Sequence, residues 1–166
     1  MAGFPDLRGQ VIVVTGGASG MGRAVALAAS REGARLVLAD FDGERLKTTA
    51  AELAGEVRHL RTDVTKLSDI AAIFDVAERE FGRIDGLVTC AGIITTSPLL
   101  EITSDEWDRV FAVNAKGTFF TVQAALKRML PRGQGRIVTI GSDSYKLGGG
   151  ASPTSPTPRA REQSSR

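Results

Sequence analysis

The sequence predicts an α/β protein of the doubly wound, Rossmann type, with a mostly parallel sheet covered by helices on both faces. Short apolar runs rich in β-branched residues alternate along the chain with longer segments of helical spacing. The runs are almost continuously apolar, which is typical of strands buried on both faces. The alternation of strand and helix favours right-handed crossovers and therefore a parallel sheet.

Five apolar runs are predicted as strands: Val11–Thr15, Arg35–Ala39, Val57–Arg61, Ile84–Cys90 and Arg136–Ile140. The segments between them are predicted as helices: Met21–Glu32, Glu44–Ala54, Leu67–Phe81 and a long pair covering Ser104–Leu130. Because aromatic residues make up only 5% of the chain, we expect a core of Val, Ile, Leu and Ala.

Several helix ends have a local cause. Gly33 follows the first helix, at a position where glycine commonly ends a helix. Ser104 precedes two acidic residues, so we expect it to cap the next helix. Pro131 and Gly133 end the last predicted helix.

The length of 166 residues fits one domain with a real core. The pI of about 9.0 does not indicate a nucleic-acid surface, because three arginines and one glutamate within residues 151–166 account for the whole formal charge of +2.

The single cysteine, Cys90, excludes an intrachain disulfide. We see neither a signal peptide nor an apolar run of membrane-spanning length, so we predict a cytoplasmic protein that binds no membrane.

The composition changes at Gly148. Residues 148–166 contain no Ile, Leu, Val, Phe or Met, so they cannot bury enough apolar area to offset the entropy of ordering. We therefore predict a folded domain over residues 1–147 and a disordered tail over residues 148–166.

A glycine-rich turn lies between the first predicted strand and the first predicted helix. It runs Thr15, Gly16, Gly17, Ala18, Ser19, Gly20, Met21 and Gly22. Glycines there allow a tight turn and close approach of the backbone to a pyrophosphate, and the helix N-terminus offers free N–H groups. The turn predicts dinucleotide binding, whereas the alternative is a glycine turn without a ligand. The predicted contacts are Thr15, Gly16, Ser19, Gly20, Met21 and Gly22.

Asp40 ends the second predicted strand and is followed by Phe41. A carboxylate at this position can accept hydrogen bonds from the adenosine ribose hydroxyls and repels a 2′-phosphate. With no basic residue in the glycine turn or at position 41, the pattern favours NAD(H) over NADP(H). The alternative is a capping or solvated aspartate.

The chain resembles the short-chain dehydrogenase/reductase family over about residues 8–150. The matching residues are Thr15, Gly16, Gly20 and Gly22 of the glycine pattern, the pair Asp63 and Val64, the triplet Cys90, Ala91 and Gly92, and the residues Asn114 and Ser142. The family has Asn where this chain has Cys90.

The resemblance implies a role for each of these groups. Asp63 and Val64 would lie beside the adenine ring, and the triplet beginning at Cys90 would line the cofactor site. Ser142 would hydrogen-bond the substrate oxygen, and Asn114 would hold a water and fix a bend in its helix. Cys90 is expected to be a small buried side chain rather than a nucleophile.

The family's acid–base pair, Tyr-x-x-x-Lys, is absent from the sequence. The only tyrosine is Tyr145, which is adjacent to Lys146, and neighbouring residues on a helix point apart. The tail is compatible with an alternate reading frame that encodes such a motif near Pro156, so we expect the C-terminal part of the family fold to be missing or frameshifted.

Other residues carry no chemistry in this interpretation. His59 is the lone histidine and lacks a second ligand nearby, so no metal site is predicted. Trp107 is expected to pack against Val110 and Phe111.

The leading hypothesis is an NAD(H)-dependent oxidoreductase that acts on a secondary alcohol or ketone. The alternative is a catalytically inactive dinucleotide-binding fragment. The family is commonly homo-oligomeric, but the helix through which its subunits pair would be missing here. Nucleic-acid binding through the tail is disfavoured, because the tail lacks aromatic residues.

Overall fold

The computed structural model describes residues 7–142. The strands are β1 (Val11–Thr15), β2 (Arg35–Asp40), β3 (Val57–Arg61), β4 (Gly86–Thr89) and β5 (Arg136–Thr139). The α-helices are α1 (Gly20–Arg31), α2 (Gly43–Ala51), α3 (Leu67–Phe81), α4 (Ser104–Phe111) and α5 (Thr118–Met129). A π-helical segment, Ala112–Gly117, joins α4 to α5, and 3-10 turns occupy Leu99–Glu101 and Leu130–Arg132.

The five strands form one parallel sheet in the order β3-β2-β1-β4-β5. The chain moves outward from β1 through β2 to β3, then crosses back to place β4 on the other side of β1. The strand order therefore reverses between β1 and β4, and the carboxyl ends of these strands are where open α/β sheets bind ligands.

Each face of the sheet carries its own core. Alternate residues of β1 point to opposite faces: Val11 and Val13 pack with α3 and α5, whereas Ile12 and Val14 pack with α1 and α2. This arrangement confirms the doubly wound class and explains why every residue of β1 is buried.

The predicted elements are all present, with shifted ends and two corrections. Thr103, not Ser104, caps α4, since the Thr103 hydroxyl accepts a hydrogen bond from the Glu106 amide. The core also contains aromatic side chains, because Phe74 is fully buried and Phe81 nearly so. Gly33 follows α1 with a φ of +80°, in the left-handed region that favours glycine.

Several sequence predictions lie outside the described residues. They concern Tyr145, Lys146, the domain boundary at residue 147 and the tail over residues 148–166. No helix within residues 7–142 has the length and hydropathy of a membrane-spanning segment.

Candidate functional site

A cleft of about 640 Å³ opens at the carboxyl ends of the strands. All of the predicted cofactor-binding residues except Thr15 line it: Gly16, Ser19, Gly20, Met21, Gly22, Asp40, Phe41, Asp63, Val64, Cys90, Ala91 and Gly92. These residues come from four separate loops and meet because parallel strands end at the same edge of the sheet. Thr15 is buried at the end of β1, where its carbonyl accepts the Cys90 amide at 2.9 Å.

The glycine turn forms a cradle that no larger residue could form. A Cβ on Gly22 would lie 2.0 Å from the Gly16 carbonyl oxygen, and a Cβ on Gly16 would lie 2.6 Å from the Ala91 nitrogen. Gly16 also has a φ of +72°. Ser19 precedes α1 but its side chain does not cap the helix, so N–H groups of the first turn stay available to an anion.

Asp40 fastens the cradle to the end of β2. One carboxylate oxygen accepts the Ala18 amide at 2.9 Å, and the other accepts the Asp42 amide at 3.0 Å. The carboxylate therefore binds a backbone amide in each of two neighbouring loops, whereas the N-cap of α2 is Asp42. Because a carboxylate has about four lone-pair sites, it retains acceptor capacity for a ligand.

Asp63 is held in a turn by its own neighbour. Its Oδ1 accepts both the hydroxyl and the amide of Thr65, at 2.7 and 3.0 Å. The Thr65 hydroxyl is the main cause that holds the pKa of Asp63 below its usual value, so the group is ionised at neutral pH. Oδ2 accepts no hydrogen bond from any residue between 7 and 142, and Asp63 can accept one from a ligand there.

Asn114 links the helix wall of the cleft to the loop after β4. Its Oδ1 accepts the Ile93 amide at 2.9 Å, and its Nδ2 donates to the Ile93 carbonyl at 2.8 Å. It lies in the π-helical segment Ala112–Gly117, and such segments often mark functional sites. The π-helical segment is a local distortion of the helical wall, and the bend that the family resemblance implies stays a prediction.

Cys90 is half-buried, and burial raises the pKa of its thiol. A neutral thiol is a poor nucleophile, which agrees with a packing role.

Ser142 lies three residues beyond the end of β5 and does not line the cleft. The structure therefore brings the predicted cofactor residues together but does not place Ser142 among them. Asn114 also lies behind the lining and contacts the cleft through Ile93.

Sequence reasoning missed several residues that line the cleft: Ala39, Thr62, Thr65, Ile93, Ile94, Arg109 and Val113. Most of them adjoin predicted residues. Arg109 and Val113 had a signal in the sequence, because they are four residues apart and therefore lie on one face of the predicted helix. Trp107 was expected to pack against Val110 and Phe111: it does stack on Phe111, with ring centroids 4.4 Å apart, although 56% of it remains exposed.

Within residues 7–142 no group of three or more His, Cys, Asp or Glu side chains could hold a metal ion. The site consists of a glycine cradle, a helix N-terminus and two carboxylates, Asp40 and Asp63.

A sequence model described as short chain dehydrogenase matches residues 10–153. The chain belongs to this family. The family uses a nicotinamide dinucleotide, and the cradle at the start of α1 fits its pyrophosphate because the glycines leave no Cβ in the space and the N–H groups are free.

Two curated relatives illustrate the similarity. The chain is 40% identical over 141 residues to D-threitol dehydrogenase of Mycolicibacterium smegmatis, covering 83% of this chain and 54% of that protein. It is 43% identical over 145 residues to 2-(S)-hydroxypropyl-CoM dehydrogenase 3 of Xanthobacter autotrophicus, covering 86% of this chain and 57% of that protein. The chain thus spans little more than half the length of these relatives.

Solved structures show the same fold. A short-chain type dehydrogenase/reductase from Mycobacterium marinum superposes with a TM-score of 0.80 at 34% identity, covering 85% of this chain and 59% of that one. Levodione reductase superposes with a TM-score of 0.78 at 33% identity, covering 82% of this chain and 55% of that one.

Proposed function

We propose that the protein is an NAD(H)-dependent oxidoreductase that interconverts a secondary alcohol and a ketone, and that residues 7–142 supply its dinucleotide-binding part. The observation that carries the proposal is the glycine cradle at the start of α1, which shares one cleft with Asp40. The dehydrogenase names of two relatives support an alcohol as substrate.

Each wall of the cleft has one role in binding the cofactor. N–H groups of the first turn of α1 hold the pyrophosphate. Asp40 accepts hydrogen bonds from the adenosine ribose hydroxyls, and Asp63, through Oδ2, accepts one from the purine amino group. The Asp40 carboxylate also repels a 2′-phosphate, which supports NAD(H) over NADP(H).

A bound nicotinamide would supply the hydride chemistry, at its C4 position. Ser142 hydrogen-bonds the substrate oxygen, whereas Asn114 fixes Ile93 at the mouth of the cleft. The proton that must accompany the hydride needs an acid, and the family's Tyr-x-x-x-Lys pattern does not occur in this sequence. Tyr145 and Lys146 follow Ser142 by three and four positions in the sequence, and Tyr145 is the only tyrosine in it.

Titration of the purified chain with NADH, read by nicotinamide fluorescence, tests the proposal, with NADPH and a set of ketones run in parallel. We expect NADH to bind at least about tenfold more tightly than NADPH, equivalent to about 1.4 kcal/mol. Binding without ketone turnover would mean that this chain holds the cofactor but lacks an acid–base pair. Failure to bind either nucleotide would refute the proposal.

A further inference from the structure

The guanidinium of Arg61 lies over the ring of Phe41, with its central carbon 4.7 Å from the ring centroid. Arg61 ends β3 and stands in register with Asp40 at the end of β2. Phe41 follows Asp40 directly, lines the cleft and is 62% exposed. An exposed aromatic ring at the rim of a cleft is thus held by a cation from the neighbouring strand.

Phe41 lines the cleft, whereas Arg61, which contacts its ring, does not. The stem of Arg61 lies across the start of α2. A Cβ built on Gly43 would be 3.4 Å from the Arg61 Cβ and 3.6 Å from its Cγ and Cδ. This packing of the stem directs the guanidinium toward the ring.

The charge of Arg61 has no other direct partner within residues 7–142, where it forms neither an ion pair nor a hydrogen bond. It does act at a distance on Asp63, where it adds to the effect of Thr65 and Lys66 in lowering the carboxyl pKa. Arg61 therefore interacts with two side chains, Phe41 and Asp63, that line the same end of the cleft as Asp40.

We propose that Arg61 is a positioning residue for the adenosine half of the dinucleotide, which it serves by holding the Phe41 ring as the outer wall of the cleft. The inference rests on the proposed function. A ring fixed before binding loses less rotamer freedom when the adenosine packs against it, so the complex is more stable. Without the cation, Phe41 would have to be ordered by the ligand itself.

The test is a double-mutant cycle in which the affinities for NADH and AMP are measured. Arg61→Met keeps the apolar stem and removes the charge, and Phe41→Leu removes the ring. Since a cation over an exposed aromatic ring has a modest effect, we expect Arg61→Met to raise the Kd for NADH about twofold to fivefold. We expect the Kd for AMP to rise by the same factor. We expect no further rise in either Kd when Arg61→Met is added to Phe41→Leu.

Arg58→Met is the matched control. Arg58 lies on the same strand and also stands over a ring, that of Phe81 at 5.4 Å, but neither residue lines the cleft. This variant should bind NADH like the unaltered chain, and thermal unfolding should show that each variant is folded.

Three results would overturn the inference while the proposed function stands. The first is an unchanged affinity of Arg61→Met for NADH. The second is a weaker affinity of Arg61→Met for NADH with an unchanged affinity for AMP. The third is that Arg61→Met weakens NADH binding as much in the Phe41→Leu background as in the unaltered chain. If the unaltered chain binds no dinucleotide, the proposed function fails and this inference fails with it.

Discussion

Gly22 occupies a position that has no room for a side chain. It lies in the first turn of α1, where a Cβ would be 2.0 Å from the Gly16 carbonyl oxygen. The added Cβ would clash with a backbone atom, which cannot rotate away as a side chain can. The turn and the helix would have to move apart, and the phosphate cradle would open.

We therefore expect Gly22→Ala to lower the free energy of unfolding by about 1–3 kcal/mol, the usual cost of overpacking. We also expect the Kd for NADH to rise by more than about tenfold. Urea unfolding and nicotinamide fluorescence measure the two effects. Gly141→Ala is the control, because a Cβ there meets nothing within 4 Å. Normal affinity in Gly22→Ala would show that the cradle tolerates a methyl group.

Asp85 joins three segments at the amino ends of the strands. Its carboxylate accepts the Val11 amide at 3.0 Å, the Arg83 guanidinium at 2.6 Å and the Arg132 guanidinium at 3.3 Å. Burial works to raise the pKa of this carboxyl, but the hydrogen bonds from Arg83 and Val11 outweigh it and hold the pKa below its ordinary 3.8.

This pKa predicts a defined pH dependence. A carboxyl whose folded-state pKa is depressed stabilises the fold fully above the unfolded-state pKa, and the effect is lost as pH falls through the folded-state value. We expect Asp85→Asn to lower the free energy of unfolding by about 1–3 kcal/mol at pH 7. The difference should shrink as pH falls below 3.8.

Urea unfolding at a series of pH values measures this difference. Asp75→Asn is a suitable control, since Asp75 is 60% exposed in its ion pair with Arg128 and such surface pairs contribute little. If the difference in the free energy of unfolding between Asp85→Asn and the unaltered chain did not change with pH, the prediction would be contradicted.

At the scale of elements, the contact between the π-helical segment and the loop after β4 depends on Asn114. Both of its polar atoms bind the backbone of Ile93, and Ile94 beside it is 77% exposed at the mouth of the cleft. The helix and the loop are thus joined by two hydrogen bonds from one side chain.

We expect Asn114→Ala to release this loop. Loss of two exposed neutral hydrogen bonds should lower the local opening free energy by about 1–2 kcal/mol, which speeds amide exchange at Ile93 by at least about fivefold. Hydrogen exchange over residues 91–98 measures it. Lys116→Ala, at another exposed position of the same segment, should leave exchange over residues 91–98 unchanged. Unaltered exchange in Asn114→Ala would mean that other contacts hold the loop.

At the scale of the whole molecule, the two edges of the described sheet differ. The β3 edge carries Arg58 and Arg61, and charged side chains discourage pairing with another chain. The β5 edge instead exposes Val138 by 51%, and Ile140 just beyond it by 38%. Within the described residues, the β5 edge is therefore apolar and exposed.

We expect the purified chain to associate through the β5 edge in a concentration-dependent manner. Val138→Lys should reduce the association, because a charge opposes pairing of strand edges. Light scattering over a range of protein concentrations measures it. His59→Lys adds the same charge to the opposite edge and should have no effect. Equal scattering by Val138→Lys and the unaltered chain would exclude this edge as the contact.

The sequence predicted most of the residues that line the cleft, because the signals for them are local. The glycine turn, Asp40 and Asp63 each follow a strand, and a parallel sheet brings strand ends together. The cap of α4 was wrong by one residue, because Thr103 and Ser104 are both good caps and only backbone geometry selects between them.

Apolar periodicity and glycine placement by themselves determined the five strands, the doubly wound class and the position of the cleft. Only the tertiary structure decided which side chains approach across that cleft. It placed Arg61 over the Phe41 ring, Asn114 on Ile93 and Arg109 on the helical wall. Such contacts join residues that are distant in sequence, so they depend on strand register and side-chain direction, which periodicity does not encode.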